Sequence, residues 1–232
     1  MKIRLSSPSS RYGARRALCK LMAAGFLALA LPGGAMAEDA PEIMMIGDSI
    51  TQGYGLNPGE GLVDQLRDWL AAQGVAAHVV NAGVSGDTTA GGRERMAWSL
   101  GAGTDAVIVE LGGNDMLRGL PPAQARDNLD AMLAEARGRG LPVLLVGLAA
   151  PGNYGPAYQA EFDAIWPDLA ARHGALLLAD LFAPITALPP EERAARELMQ
   201  HDAIHPAPAG VALIVAALGP KVQDLLAQVA AR

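Results

Sequence analysis

Five short apolar runs, at residues 43–46, 76–80, 106–111, 142–148 and 175–179, alternate along the chain with segments of helical periodicity. Runs of four to eight apolar residues bounded by turn signals read as buried strands of a parallel sheet. Between them, residues 59–73 carry Leu62, Leu66, Trp69 and Leu70 on one helical face and stop at Gly74, a residue suited to a helix C-terminus. Asp87 reads as the N-cap of a helix running towards Leu100. Pro121 and Pro122 open a helix with Leu129, Met132 and Leu133 on one face. Residues 158–173 form a helix disturbed near Pro167, and 208–228 form the last one. Strand alternating with helix five times predicts an α/β chain: a doubly wound, three-layer α/β/α sandwich around a five-stranded parallel sheet. Right-handed crossovers then bring every strand's carboxyl end to one edge, where open sheets hold their ligands.

Residues 1–37 stand outside that pattern. They hold six basic residues and no acid, then the apolar run Leu21 to Leu31 and the small-residue signal Ala35-Met36-Ala37. This is the layout of a secretory signal peptide cleaved near Ala37, and the run is shorter than the ~20 residues that span a bilayer. Arg15-Arg16 loosely resembles a twin-arginine signal and leaves the export route open. The expected product is a periplasmic or secreted domain, residues 38–232, with no stable membrane anchor and read as a monomer. Taking six basic residues from 18 leaves 12 against 24 acids, a net charge of −12. So acidic a surface has no electrostatic route to a phosphate backbone, which argues against nucleic acid as a partner. The only cysteine, Cys19, lies in the leader, so the exported domain has no thiol for a disulfide, a thiolate metal site or nucleophilic catalysis.

The predicted sheet edge gathers chemistry. Ser49 follows the first strand in Gly47-Asp48-Ser49-Ile50, Gly83 follows the second, and Asn114 follows the third in Gly112-Gly113-Asn114-Asp115. Singly, each has a plain structural reading as a cap, a turn or a loop stabiliser. Asp202-Ala203-Ile204-His205-Pro206, before the last helix, adds a base and an acid to orient it. Pro206 biases His205 away from helical angles, as a turn requires. The same proline opposes the continuous helix that His201 and His205 would need as i, i+4 metal ligands, and no third ligand is evident. His78 reads as a solvated strand-edge residue, and His173 as a cation in the last turn of a helix. The Ser49 and Gly83 N–H groups and the Asn114 amide form a candidate oxyanion hole. A binding module cradling phosphate on residues 47–55 is the reading from a different class, but the spacing fits neither G-x-G-x-x-G nor a P-loop.

Taken in order, these stretches resemble the four motif blocks of the SGNH (GDSL) hydrolases, with Ile50 in place of the usual leucine. The resemblance runs from Ile43 to the carboxyl terminus. Asn81 to Gly92 and Glu110 to Gly119 look like the branch of periplasmic multifunctional thioesterase/lysophospholipase/arylesterases, and residues 149–155 resemble that branch's loop beside the acyl pocket. The resemblance implies the flavodoxin-like SGNH fold, with Ser49 as nucleophile, His205 as base and Asp202 as its orienter. Gly83 and Asn114 complete the oxyanion hole with the Ser49 N–H, and Asn153 and Tyr154 contact substrate. It implies two-step hydrolysis of small-molecule or lipid-derived carboxylic esters and thioesters, with no metal or organic cofactor. A carbohydrate O-deacetylase of the same superfamily is the alternative within the class. Ala203 stands where a glycine is common, which stiffens the loop, and Ala207 where an asparagine often follows His-Pro. No long insertion separates the blocks, so an open, shallow site suited to short and medium acyl chains is expected.

Overall fold

A computed structural model describes residues 40–232; the leader and its cleavage site lie outside the described residues. Five parallel strands make one sheet in the order β2-β1-β3-β4-β5: β1 Glu42–Gly47, β2 His78–Gly83, β3 Thr104–Glu110, β4 Val143–Val146 and β5 Leu176–Leu178. Starting in the centre and crossing to either side is what a doubly wound sheet does, and it puts a topological switch point at β1. The helices are α1 Ser49–Gln52, α2 Leu62–Ala72, α3 Thr89–Ser99, α4 Gly113–Leu117, α5 Pro122–Gly138, α6 Pro156–Asp163, α7 Ile165–His173, α8 Ala183–Thr186, α9 Pro190–Ala195 and α10 Pro208–Ala230. One layer packs α2 against α10; the other packs α5 between α3 and α7. The three-layer sandwich expected from the alternation is the fold observed.

The central strands are apolar on both faces because both are covered: Ile43, Met44, Met45 and Ile46 of β1 and Ala106 to Val109 of β3 are fully buried. Helix α10 is long and apolar enough in composition to cross a membrane. Here its stripe of Val211, Ile214, Val215, Leu218, Val222 and Leu225 is buried, and it packs against β3, β4, β5 and α2 as a core helix.

Several boundaries differ from the pattern-based expectation, each for a local reason. Strand β2 runs on through Asn81, Ala82 and Gly83, because pairing with β1 continues to the Gly47–Gly83 register. Asp87 does not cap α3. Thr88 holds that position, and the Asp87 carboxylate is bound instead by Arg95 at 2.6 Å. The 158–173 helix is two helices broken at Ala164, ahead of Pro167. A proline cannot donate to the carbonyl four residues back, here Asp163, and its ring crowds that carbonyl. His173 does end α7, but it has a carboxylate partner that spacing could not reveal: its Nε2 lies 2.7 Å from Asp130 Oδ1 on α5. That contact, then Arg172, holds the Asp130 carboxyl below its ordinary value against the opposing effect of burial. His78 is exposed at the start of the edge strand.

Candidate active site

Gly47 ends β1, and the chain turns at once into the single helical turn α1. An added Cβ at Gly47 would lie 2.0 Å from Thr51 Oγ1 and 2.8 Å from Glu110 Oε2, so only glycine admits this tight a return. Asp48 is the N-cap of α1: its Oδ1 accepts from the Ile50 N–H at 3.0 Å. Its Oδ2 accepts from Asn114 Nδ2 at 3.1 Å, which ties the end of β1 to the end of β3. Gly112 makes that second exit possible, with φ of 121° and the Trp166 ring packed where a Cβ would stand. Asp115, next along, accepts from both the N–H and the hydroxyl of Thr89, at 2.8 and 2.6 Å, and so anchors the start of α3.

Ser49 lies on this turn, 8% exposed, with its hydroxyl 2.8 Å from His205 Nε2. The other imidazole nitrogen, Nδ1, lies 2.6 Å from Asp202 Oδ2. Asp202 Oδ1 accepts from the N–H groups of Ile204 and His205, both at 3.0 Å, so one aspartate folds the loop and orients the ring. Partial burial pushes the Asp202 carboxyl up. The imidazole contact and the two N–H donors outweigh that and hold it at about 2. Ala203 bends this loop through the left-handed region with φ of 56°, the conformation that explains why glycine would be at ease there. The loop is closed by a bridge between Met199 and Pro206 and by the Ala207 N–H donating to Leu198 O at 3.0 Å. Gln200 links it to the first half of the site, donating from Nε2 to Tyr54 O at 2.9 Å and Pro206 O at 3.1 Å. The Tyr54 ring packs on His205 with centroids 4.8 Å apart. His201 and His205 share no helix, and among the described residues no cluster of three or more His, Cys, Asp or Glu has metal-binding geometry.

Two of the three expected oxyanion donors have hydrogens to offer. Among the described residues the Ser49 N–H meets no acceptor, and Asn114 uses one amide hydrogen on Asp48 and keeps the second. Gly83 is a correction: its N–H donates to Asn81 Oδ1 at 2.9 Å. Its lack of a side chain serves packing instead, since a Cβ would meet Gln52 N at 2.3 Å. Three residues on, Gly86 sits in a turn closed by the Asp87 N–H onto Val84 O at 3.0 Å, with φ of 83°. Arg118 binds the Gly86 carbonyl at 2.7 Å, and the Gly86 N–H meets no acceptor among the described residues. Arg95 braces this turn to both strands, reaching Asp87 at 2.6 Å, Ala82 O at 2.7 Å and Gly47 O at 2.8 Å. The sequence held the clue, a second glycine in Asn81-Ala82-Gly83-Val84-Ser85-Gly86, but spacing alone could not say where the strand ends.

A cleft of about 1430 Å³ opens at Ser49, His205 and Asn114. Its apolar lining includes Met116, Leu117, Leu148, Phe182, Ile185 and Met199. Phe182 and Ile185 belong to α8 and its lead-in, and Pro190, Arg193 and Ala194 to α9, two short helices that the alternation of strands and helices does not announce. Proline at the first helical position, followed by Glu191-Glu192 in α9, was the available signal. Asn153 and Tyr154 are corrections as well. Neither lines the cleft; both are exposed, and the Tyr154 hydroxyl donates to the backbone of a wall residue, Leu117 O, at 3.2 Å.

A hydroxyl, an imidazole and a carboxylate in series, beside amide donors on the carboxyl edge of a doubly wound sheet, define a serine hydrolase. Residues 45–213 match the model of the GDSL-like Lipase/Acylhydrolase family. Esterase TesA of Pseudomonas aeruginosa is 38% identical over 207 residues, which cover 89% of this chain and 98% of that protein. The Escherichia coli protein named Thioesterase 1/protease 1/lysophospholipase L1 is 33% identical over 171 residues, 73% of this chain and 77% of that one. Among solved structures, AlinE4, described as an SGNH-hydrolase family esterase, is 42% identical with a TM-score of 0.65, the match covering 81% of this chain and 97% of that one. The chain belongs to the GDSL-like lipase/acylhydrolase family.

Proposed function

We propose that this protein is a serine esterase that hydrolyses carboxylic esters and thioesters through an acyl-enzyme on Ser49. The observation that carries the reading is the unbroken series Ser49–His205–Asp202, at 2.8 and 2.6 Å, opening into a cleft with an apolar wall. Ser49 Oγ attacks the carbonyl carbon while its proton passes to His205 Nε2. The carbonyl oxygen becomes an oxyanion facing the Ser49 N–H, the free Asn114 amide hydrogen and, in our assignment, the Gly86 N–H. On collapse, the bond to the leaving oxygen or sulfur breaks, and His205 gives that atom its proton. Water then enters by the same route in reverse, with His205 as base, and releases the acid and the Ser49 hydroxyl. Asp202, ionised throughout, fixes the ring and stabilises its cationic form.

The apolar cleft wall of Met116, Leu117, Leu148, Phe182 and Ile185 supports an acyl chain as occupant, and the names of the relatives point to aryl esters, lysophospholipids and acyl thioesters as candidate classes. The layout of residues 1–37 supports export to the periplasm. The test is kcat/KM across a nitrophenyl ester series, measured beside a lysophospholipid, an acyl-CoA and acetylated xylan. Butanoyl to decanoyl esters are expected to lead. Acetylated xylan exceeding them would favour the carbohydrate deacetylase instead.

A further inference from the structure

Glu110, the last residue of β3, stands in register with Gly47 and turns its side chain beneath α1, where it is fully buried. Its Oε2 accepts from Thr51 Oγ1 at 2.7 Å, and the Asp48 and Thr51 N–H groups turn towards the same carboxyl. Its Oε1 is buried with no partner among the described residues. Among the described residues no cation is paired with it; Arg95, which reaches Gly47 O at the end of β1, spends its guanidinium on Asp87, Ala82 O and Gly47 O. The charged group beside it is Asp48, itself a carboxyl with two good donors, Ile50 N and Asn114 Nδ2. A carboxylate at Glu110 would be an uncompensated charge in the core next to a second negative charge, an arrangement proteins avoid by neutralising one partner. Burial first, then Asp48, pushes the Glu110 carboxyl well above the ordinary range, in agreement with that geometry.

We propose that Glu110, as the neutral acid, is a positioning residue for the nucleophile. Through Thr51 it fixes the single turn that presents Ser49, and by carrying no charge it spares the Asp48 carboxyl, which aligns Asn114, a like-charged neighbour. A four-residue helix cannot hold itself in place, because its first hydrogen bonds hardly offset its ordering. This one is gripped from below by Glu110 and from the side by Asn81, whose Nδ2 donates to Thr51 O at 2.9 Å. Displacing a reacting group by about 1 Å costs catalysis far more than binding, so the effect falls on kcat.

The inference rests on Ser49 being the nucleophile, and the two are tested separately. In steady-state kinetics on nitrophenyl butyrate with parallel thermal melts, E110L and T51V are expected to lose ~10-fold in kcat and in fluorophosphonate labelling rate with KM little changed. E110Q, neutral and of the same shape, is expected to restore kcat to within ~3-fold of wild type. Should E110L fail to fold, T51V decides, since it keeps the carboxyl and removes only the tie. E110L or T51V with wild-type kcat would reduce Glu110 to space filling, and E110Q as slow as E110L would show that its ionised form is required. Labelling of Ser49→Ala at the wild-type rate would instead bring down the nucleophile assignment itself.

Discussion

Asp202 accepts three contacts, two from N–H groups of its own loop and one from the imidazole. Its folded value of about 2 lies below the ordinary 3.8, so ionised Asp202 favours the folded loop. That contribution is complete above pH 3.8 and is lost as pH falls through about 2. Its side chain is 38% exposed, so solvent screens the pair, and the gain lies more in orienting His205 than in global stability. The acid limb of the rate therefore does not report Asp202. Asp202→Asn is expected to lower kcat by ~100-fold or more, with KM for nitrophenyl butyrate little changed. Circular dichroism of the wild type should hold steady down to about pH 4, where Asp202 remains ionised. A D202N enzyme with most of its kcat would mean that the ring is oriented by something else.

The site depends on elements too short to announce themselves. Helices α1, α8 and α9 have four, four and six residues, each below the length at which periodicity separates helix from loop. The long α5 and α10, by contrast, are legible from one apolar face each. Nor does local sequence say that β2 continues to Gly83, which is settled by pairing with β1. What such short pieces lack in themselves is supplied by cross-links. Gln200 is the cross-link between halves, donating to Tyr54 O, 146 residues away, and to Pro206 O, beside His205. Gln200→Ala should loosen His205 relative to Ser49 and lower kcat by ~10-fold with a small loss of stability, since each bond is worth about 1 kcal/mol. Stopped-flow acylation and a thermal melt measure the two effects; unchanged acylation would show that the hairpin closing at Met199–Pro206 suffices.

At the scale of the molecule, topology does what no local feature can. The order β2-β1-β3-β4-β5 brings the exits of β1 and β3 side by side, and the return of the chain into α10 lays the 202–206 loop over them. Ser49 and His205, 156 residues apart in sequence, thereby meet at 2.8 Å. This much was legible because strand–helix alternation fixes which ends share an edge, and because the Ser, Asn and Asp/His stretches each follow the right element. The cleft's wall and the buried Glu110–Thr51 tie were not, since both arise from packing between segments distant in sequence. The core claim is that this meeting makes Ser49 the group that is acylated. Peptide mapping by mass spectrometry after fluorophosphonate treatment reads it directly. The account predicts a single adduct on the peptide containing Ser49, absent in Ser49→Ala and slowed at least ~100-fold in His205→Ala; an adduct on another residue, or undiminished labelling in Ser49→Ala, would contradict it.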